Sequence, residues 1–201
     1  MINYKDYLNS KNKSITKNIY IKSFPKNERL PFWILKNSAK STNVIFNEIT
    51  VDNETIGLTY IITYKDIAYL MYFAIKEDKR NKNYGSLVLK ELIDQYKTVV
   101  LSIEKINEKD DISKRRKQFY LRNGFFEINK FTEQNNVYYE LLCSNKDYNL
   151  TKDELVNIYK NMTNSKMIGY FINKRFKLFD VNFIDGGENE NIYSKAWTSS
   201  S

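Results

Sequence analysis

The sequence contains no histidine and only one cysteine, Cys143. Without histidine, a Ser-His-Asp triad is excluded, and the commonest general base and commonest metal ligand are both missing. A lone cysteine forms neither an intrachain disulfide nor a paired-cysteine metal site. Set in Leu141-Leu142-Cys143, it reads as a small core residue ending a buried strand rather than a nucleophile. No apolar run approaches membrane-spanning length, and the start, Met1 to Asp6, lacks the apolar stretch of a signal peptide. A cytoplasmic location is the default expectation. No internal repeat and no clustered basic arm are found.

What is present suits a folded enzyme-sized unit. A chain of 201 residues accommodates one domain with an appendage. Hydrophobic residues make up 42% and aromatics 15%, enough for a substantial core. The net charge of +8 comes from lysines spread along the chain. That distribution reads as a solvated basic surface, so a nucleic-acid partner is not expected.

Residues 1–15 are polar and read as a flexible N-terminal arm. Ile19-Tyr20-Ile21 reads as a first strand, and Leu30 to Leu35 has helical spacing. Val44 to Val51, Thr55 to Tyr64 and Ala68 to Ile75 read as three meandering strands rich in β-branched and aromatic residues, with Asp52-Asn53 and Lys65-Asp66 as turns. The third run is almost wholly apolar, which places it centrally in a sheet. Leu87, Val88, Leu92, Ile93 and Tyr96 share a helical face. Val99 to Ile103 is a short buried strand. Asp110 or Asp111 caps a helix reaching Leu121, which Asn123-Gly124 ends. Phe125 to Ile128 and Val137 to Leu142 are closing strands around a Gln134-Asn135-Asn136 turn. Thr151-Lys152-Asp153-Glu154 is a capping box opening one more helix. The expected class is therefore α/β with a mixed sheet. A main domain spans 16–145, and 146–201 is a C-terminal helical extension and tail.

The informative stretch is Lys79-Arg80-Asn81-Lys82-Asn83-Tyr84-Gly85-Ser86, between a buried strand and an amphipathic helix. Such a turn presents backbone N–H groups and a helix N-terminus to an anion, and Arg80 and Lys82 add charge. Read alone, it serves equally as a solvated connection.

Together with its context, the stretch resembles the acetyl-CoA-binding signature of the GNAT superfamily, R/Q-x-x-G-x-G/A, standing here as Arg80-x-x-Asn83-x-Gly85. Leu70 to Ile75 resembles that family's fourth strand. Phe119-Tyr120-Leu121-Arg122-Asn123-Gly124-Phe125 resembles its second signature, F-Y-x-x-x-G-F. The likeness covers about residues 16–145, including Phe24-Pro25-Lys26-Asn27-Glu28-Arg29. Two departures stand out. Asn83 replaces the first glycine, and asparagine is the non-glycine residue that best tolerates positive φ. Ser113 stands where many members carry asparagine.

The resemblance implies an acyl-CoA N-acyltransferase fold whose central twisted sheet splays between its fourth and fifth strands. It implies acetyl-CoA as cosubstrate, no metal, and acetyl transfer to a small-molecule or protein amine by direct attack. Backbone groups of Phe73, Ala74 and Ile75 would receive the pantetheine arm, and Arg80, Asn81, Lys82, Asn83, Tyr84, Gly85 and Ser86 would receive the pyrophosphate. Tyr120 matches the family's acid. For the base, Glu104 at the end of its strand is a candidate, with a plain salt bridge as the alternative reading; Tyr72 also stands to line the cleft. A non-catalytic acyl-CoA-binding module on the same fold is the second reading. Whether the extension closes the pocket or forms a homodimer surface is open.

Overall fold

A computed structural model describes residues 1–105, 111–134 and 137–186. Asp110 as a cap, the Asn135-Asn136 turn and the tail from Gly187 lie outside the described residues. Among those described, eight strands form one mixed sheet in the order β1-β2-β3-β4-β5-β7-β6-β8. The strands are β1 (Ile2–Asp6), β2 (Val44–Val51), β3 (Glu54–Tyr64), β4 (Ile67–Ile75), β5 (Thr98–Glu104), β6 (Phe126–Gln134), β7 (Val137–Cys143) and β8 (Asn182–Asp185). Six helices cover its faces: α1 (Lys13–Ser23), α2 (Phe32–Ser38), α3 (Tyr84–Gln95), α4 (Asp111–Leu121), α5 (Lys152–Asn161) and α6 (Lys166–Phe176). None of the helices among the described residues is long and apolar enough to cross a membrane.

The sheet separates two cores. One face of β4 and β5 packs with α3 and α4 through Leu70, Ile75, Val88, Leu89, Leu92, Leu101, Ile103 and Phe125. The other packs with α1, α2 and α5 through Tyr20, Leu30, Ile34, Tyr69, Tyr72, Leu141, Leu155, Ile158 and Tyr159. Alternation along each strand distributes the side chains between the two faces.

Two readings of the N-terminal region are corrected. Residues 1–15 are not a flexible arm. Ile2–Asp6 pairs antiparallel with β2, from Ile2 opposite Val51 to Asp6 opposite Asn47. Tyr7 is buried and stacked on Phe46 at 4.3 Å. Ser10, Asn12 and Thr16 all donate to the buried Glu48 carboxylate, which Thr55 also meets at 2.8 Å. A solvent-facing edge strand holds by backbone bonds and shows no apolar alternation, so a polar sequence conceals it. Ile19-Tyr20-Ile21 belongs to α1, not to a strand. Thr16, Ile19 and Tyr20 are its buried residues, a helical spacing masked by the polar residues around it. Of the prolines, Pro31 caps α2 from outside, where its missing N–H costs nothing.

The C-terminal extension packs on the main body. Thr151 and Glu154 form the capping box that opens α5, whose Leu155, Ile158 and Tyr159 are buried in the second core. β8 pairs with β6, from Lys130 opposite Asp185 to Glu133 opposite Asn182.

Candidate functional site

β4 and β5 are parallel neighbours for three residue pairs only: Ile67 with Thr98, Ala68 with Val99 and Tyr69 with Val100. β4 then continues to Ile75 while β5 turns to pair with β7 as far as Glu104 opposite Tyr139. The two strands part beyond Tyr69 and leave a wedge. A register shift between Tyr60 and Ile61 marks a bulge in β4 at Met71, and bulges bend and twist the strand that carries them.

Past the bulge, Lys76 N–H bonds Ile56 C=O at 2.7 Å. In an antiparallel ladder the backbone groups of alternate residues face alternate neighbours. Ala74, two residues before Lys76, therefore directs its groups at β3, while Phe73 and Ile75 direct theirs at the wedge. The Ile75 carbonyl is taken by Arg80, whose Nε donates to it at 3.1 Å. Of the three residues read as receiving the pantetheine arm, Phe73 and the Ile75 N–H are thus the groups turned toward the wedge.

The turn after β4 is held in place by ion pairs of Lys76 and Lys79 with Glu54 on β3. Two left-handed residues, Asn81 (φ 61°) and Asn83 (φ 63°), then redirect the chain into α3. Asn83 occupies the N-cap position but its side chain makes no capping bond. Helix geometry leaves the first N–H groups without an intrahelical acceptor, so those of Tyr84, Gly85 and Ser86 stay open at the positive end of the helix dipole. Arg80 and Lys82 flank this end. Gly85 answers a different need: a Cβ there would lie 3.0 Å from the Phe119 ring and 3.8 Å from that of Phe73. It allows α3 to approach both β4 and α4. Anion-accepting amides, flanking cations and a wedge with free strand edge together fit a nucleotide thioester.

Beside this turn an open pocket of about 370 Å³ is lined by Asn83, Ser86, Leu87, Lys90, Ile93, Arg122, Asn123 and Gly124. Lys90 and Arg122 were passed over in the sequence because Lys90 lies beyond the first signature and Arg122 at an unspecified position of the second. Arg122 lies 5.5 Å from the Phe119 ring, and its charge faces the start of α3 across the pocket.

Tyr120 sits at the end of α4, 5.4 Å from the Phe119 ring and 5.8 Å from that of Phe125. Its hydroxyl makes no hydrogen bond among the described residues. Burial pushes this phenol up to about 12, while the Arg116 charge pulls it down. α4 is fixed to the sheet by Lys117, which bonds Glu127 on β6 and Glu140 on β7, the latter at 2.9 Å. Asn123 and Gly124 (φ 87°) end the helix as the sequence indicates.

Glu104 is exposed at the end of β5. Directly opposed residues of an antiparallel pair share a face, so its carboxylate lies on the side of Tyr139, with Ser102 and Tyr69 below. It makes no ion pair among the described residues, contrary to the salt-bridge alternative. Tyr69 and Ser102 hydroxyls meet at 2.8 Å, and Tyr159 from α5 joins Tyr69 at 3.1 Å. Tyr72 stands on the same face and accepts a hydrogen bond from Leu30 N–H at 3.0 Å; burial pushes its phenol up to about 12. Tyr120 thus approaches the wedge from the α3–α4 face, while Glu104, Tyr72 and Tyr139 line the opposite one.

Known structures share this fold. A GNAT-family protein of Bacteroides thetaiotaomicron is 20% identical and superposes with a TM-score of 0.61 over 87% of this chain and 96% of its own. The ribosomal-protein-S18-alanine N-acetyltransferase of Escherichia coli is 13% identical (TM-score 0.52; 75% and 100% covered). A GNAT-family acetyltransferase of Elizabethkingia anophelis, solved with acetyl-CoA bound, is 16% identical (TM-score 0.52; 71% and 96% covered). No curated protein matches in sequence. The profile of the acetyltransferase (GNAT) family, in contrast, matches residues 14–125, more than half of the chain. With strands that part, a helix start open to anions and both signatures in place, the chain belongs to the acetyltransferase (GNAT) family and is an acetyl-CoA-dependent acyltransferase.

Proposed function

We propose that the protein transfers the acetyl group of acetyl-CoA to a primary amine by direct attack, as a cytoplasmic enzyme without metal. The observation that carries this reading is the wedge beyond Tyr69 and Val100, with a proton-bearing phenol on one face and carboxylate on the other.

Acetyl-CoA supplies a thioester carbon that an amine can attack. Phe73 and the Ile75 N–H would receive its arm as a missing strand would. Arg80 keeps the Ile75 carbonyl engaged and the turn closed. Asn81, Lys82, Asn83, Tyr84, Gly85 and Ser86 would hold the pyrophosphate by open amides and charge, with Lys90 and Arg122 nearest the nucleotide end. An alkyl amine arrives as an ammonium, so its proton must leave before attack. It leaves toward the side where Glu104 stands. Tyr120, a phenol that is protonated at neutral pH and whose proton burial holds more firmly still, gives a proton to the departing sulfur.

The acceptor is a small-molecule or protein amine; the Escherichia coli neighbour acts on an alanine of ribosomal protein S18. Thermal denaturation with and without acetyl-CoA tests cosubstrate binding. At 100-fold the dissociation constant, stabilisation of about 2.7 kcal/mol is expected. Thiol release with an amine panel tests transfer. Tyr120→Phe should slow turnover about 10²-fold with acetyl-CoA affinity unchanged. Stabilisation without turnover of any amine would favour a non-catalytic acyl-CoA-binding module; no stabilisation at millimolar concentration would overturn both readings.

A further inference from the structure

Sequence reasoning places Glu28 in the family-like segment Phe24 to Arg29 but gives it no role; it lies in the loop between α1 and α2. The loop is clamped on every side. Glu28 N–H bonds Pro25 C=O at 3.1 Å. The Arg29 guanidinium donates to the carbonyls of Ile21 (2.7 Å) and Phe24 (2.8 Å). At its far end Tyr20 donates to Leu30 C=O at 2.9 Å, and Leu30 N–H donates to Tyr72 at 3.0 Å. This places Glu28 over β4, beside the wedge.

The Glu28 carboxylate is half-buried and makes no hydrogen bond or ion pair among the described residues. The charged and titratable groups facing it are Glu104 at the end of β5, Arg116 on α4, Tyr72 on β4 and Tyr139 on β7. Arg116 also acts on Tyr120, so one guanidinium connects Glu28 with the phenol at the other side of the wedge. A half-buried carboxylate with no direct partner, placed near a second carboxylate, does not help the chain fold. The clamped loop nevertheless holds it there.

We propose that Glu28 is the group that takes the proton from the acceptor ammonium, with Glu104 as its charge partner across the mouth of the wedge. The inference rests on the transferase reading above. One ammonium proton passes to a Glu28 carboxylate oxygen, the freed nitrogen lone pair forms the new C–N bond as the carbonyl pair moves onto oxygen, and the adduct loses its second N–H proton to solvent as the carbonyl re-forms. The C–S electron pair leaves on sulfur, which takes the Tyr120 proton. Glu28 ends protonated and Tyr120 deprotonated, and exchange with solvent resets both. A carboxylate pair at the entrance also favours acceptors that arrive as cations.

Burial first, then the Glu104 charge, pushes the Glu28 carboxyl up from its ordinary value; Arg116 pulls it down. The working form is the carboxylate, so activity falls as pH drops through the Glu28 midpoint. Removing the Glu104 charge lowers that midpoint and moves the acidic limb to lower pH. Removing the Arg116 charge moves it the opposite way.

Two measurements on the full chain with acetyl-CoA test the assignment. Carboxyl-carbon NMR of glutamate-labelled protein follows the Glu28 midpoint in the parent and in Glu104→Gln. Thiol release with spermidine, tyramine and an alanyl peptide as probes follows turnover against pH. The expected results are a Glu28 midpoint that falls in Glu104→Gln, and a loss in kcat/KM of about 10²-fold or more in Glu28→Gln. Glu28→Gln should keep its acetyl-CoA stabilisation. A midpoint indifferent to Glu104→Gln overturns the assignment even where no probe turns over, as does Glu28→Gln turning over within twofold of the parent. Absence of acetyl-CoA stabilisation in the parent would instead sink the transferase reading, and this one with it, so the two failures are distinguishable.

Discussion

Lys117 shows how much of the site depends on single side chains away from it. Its ammonium, largely shielded from water, joins Glu127 and the buried Glu140 and ties α4 to β6 and β7. Lys117→Met would leave the Glu140 carboxylate buried with its counter-ion gone. Breaking such a pair costs about 3 kcal/mol, a fall of roughly 6–12 °C in Tm for a chain of this size, measurable by calorimetry. The opposite sign is expected at Glu28. Its folded carboxyl is raised above the unfolded value, so any stability that it contributes is present at low pH and lost as pH rises through the folded midpoint. At neutral pH Glu28→Gln should therefore raise Tm while lowering activity. The advantage of the variant should shrink as pH falls below the midpoint. Arg80, Asn83, Gly85 and Tyr120 were legible in the sequence because each belongs to a signature with fixed spacing. Glu28 was legible as part of the family-like segment Phe24 to Arg29, but its role was not, because that comes from burial near β4 and from a carboxylate 76 positions later in the chain.

Among the elements, the entry to α3 is where local conformation and packing meet. Asn83 at φ 63° is in a region that β-carbon sterics penalise, and asparagine tolerates it better than most residues. Asn83→Ala should lose about 1 kcal/mol, or roughly 2–4 °C in Tm, and weaken acetyl-CoA binding by disturbing the helix start. Asn83→Gly should keep binding, since glycine adopts this conformation freely. Gly85→Ala acts through contact instead, because its Cβ would press on the Phe119 ring that precedes Tyr120. Slower turnover with cosubstrate affinity largely kept is the expected kinetic result. The strands from Val44 to Ile75 and the helices α3, α4 and α5 could be read from periodicity and caps. β1 and α1 could not: one is an edge held by backbone bonds, and the other hides a three-residue buried stripe among polar neighbours. The wedge itself left no trace in the pattern of β4 and β5, since a parting of strands changes partners rather than hydrophobicity; only the family likeness pointed to it.

Taken whole, the molecule is larger than the span that matches its family. Residues 14–125 carry the match, yet β7 completes the sheet beside β5, and α5 covers the face that Tyr72 and Glu104 share. Removing residues 147–201 would strip Leu155, Ile158, Tyr159 and Met162 from the core. At about 1.5–3 kcal/mol for each buried side chain, the loss is comparable with the entire stability of a domain, about 5–15 kcal/mol. The truncated chain should show no cooperative thermal transition. The sequence indicated α5 through its capping box, but not where the helix would dock. Docking depends on Tyr69 and Gln134, both of which meet the Tyr159 hydroxyl.

That Tyr159 contact places a C-terminal side chain at the apex of the wedge, where Tyr69 and Ser102 still bridge the diverging strands. The point where the strands part is thus braced from outside the span that matches the family, as a keystone braces an arch. Sequence drift along α5 could widen or narrow the entrance, and so retune which acceptors fit, while every residue that handles the acetyl group stayed unchanged.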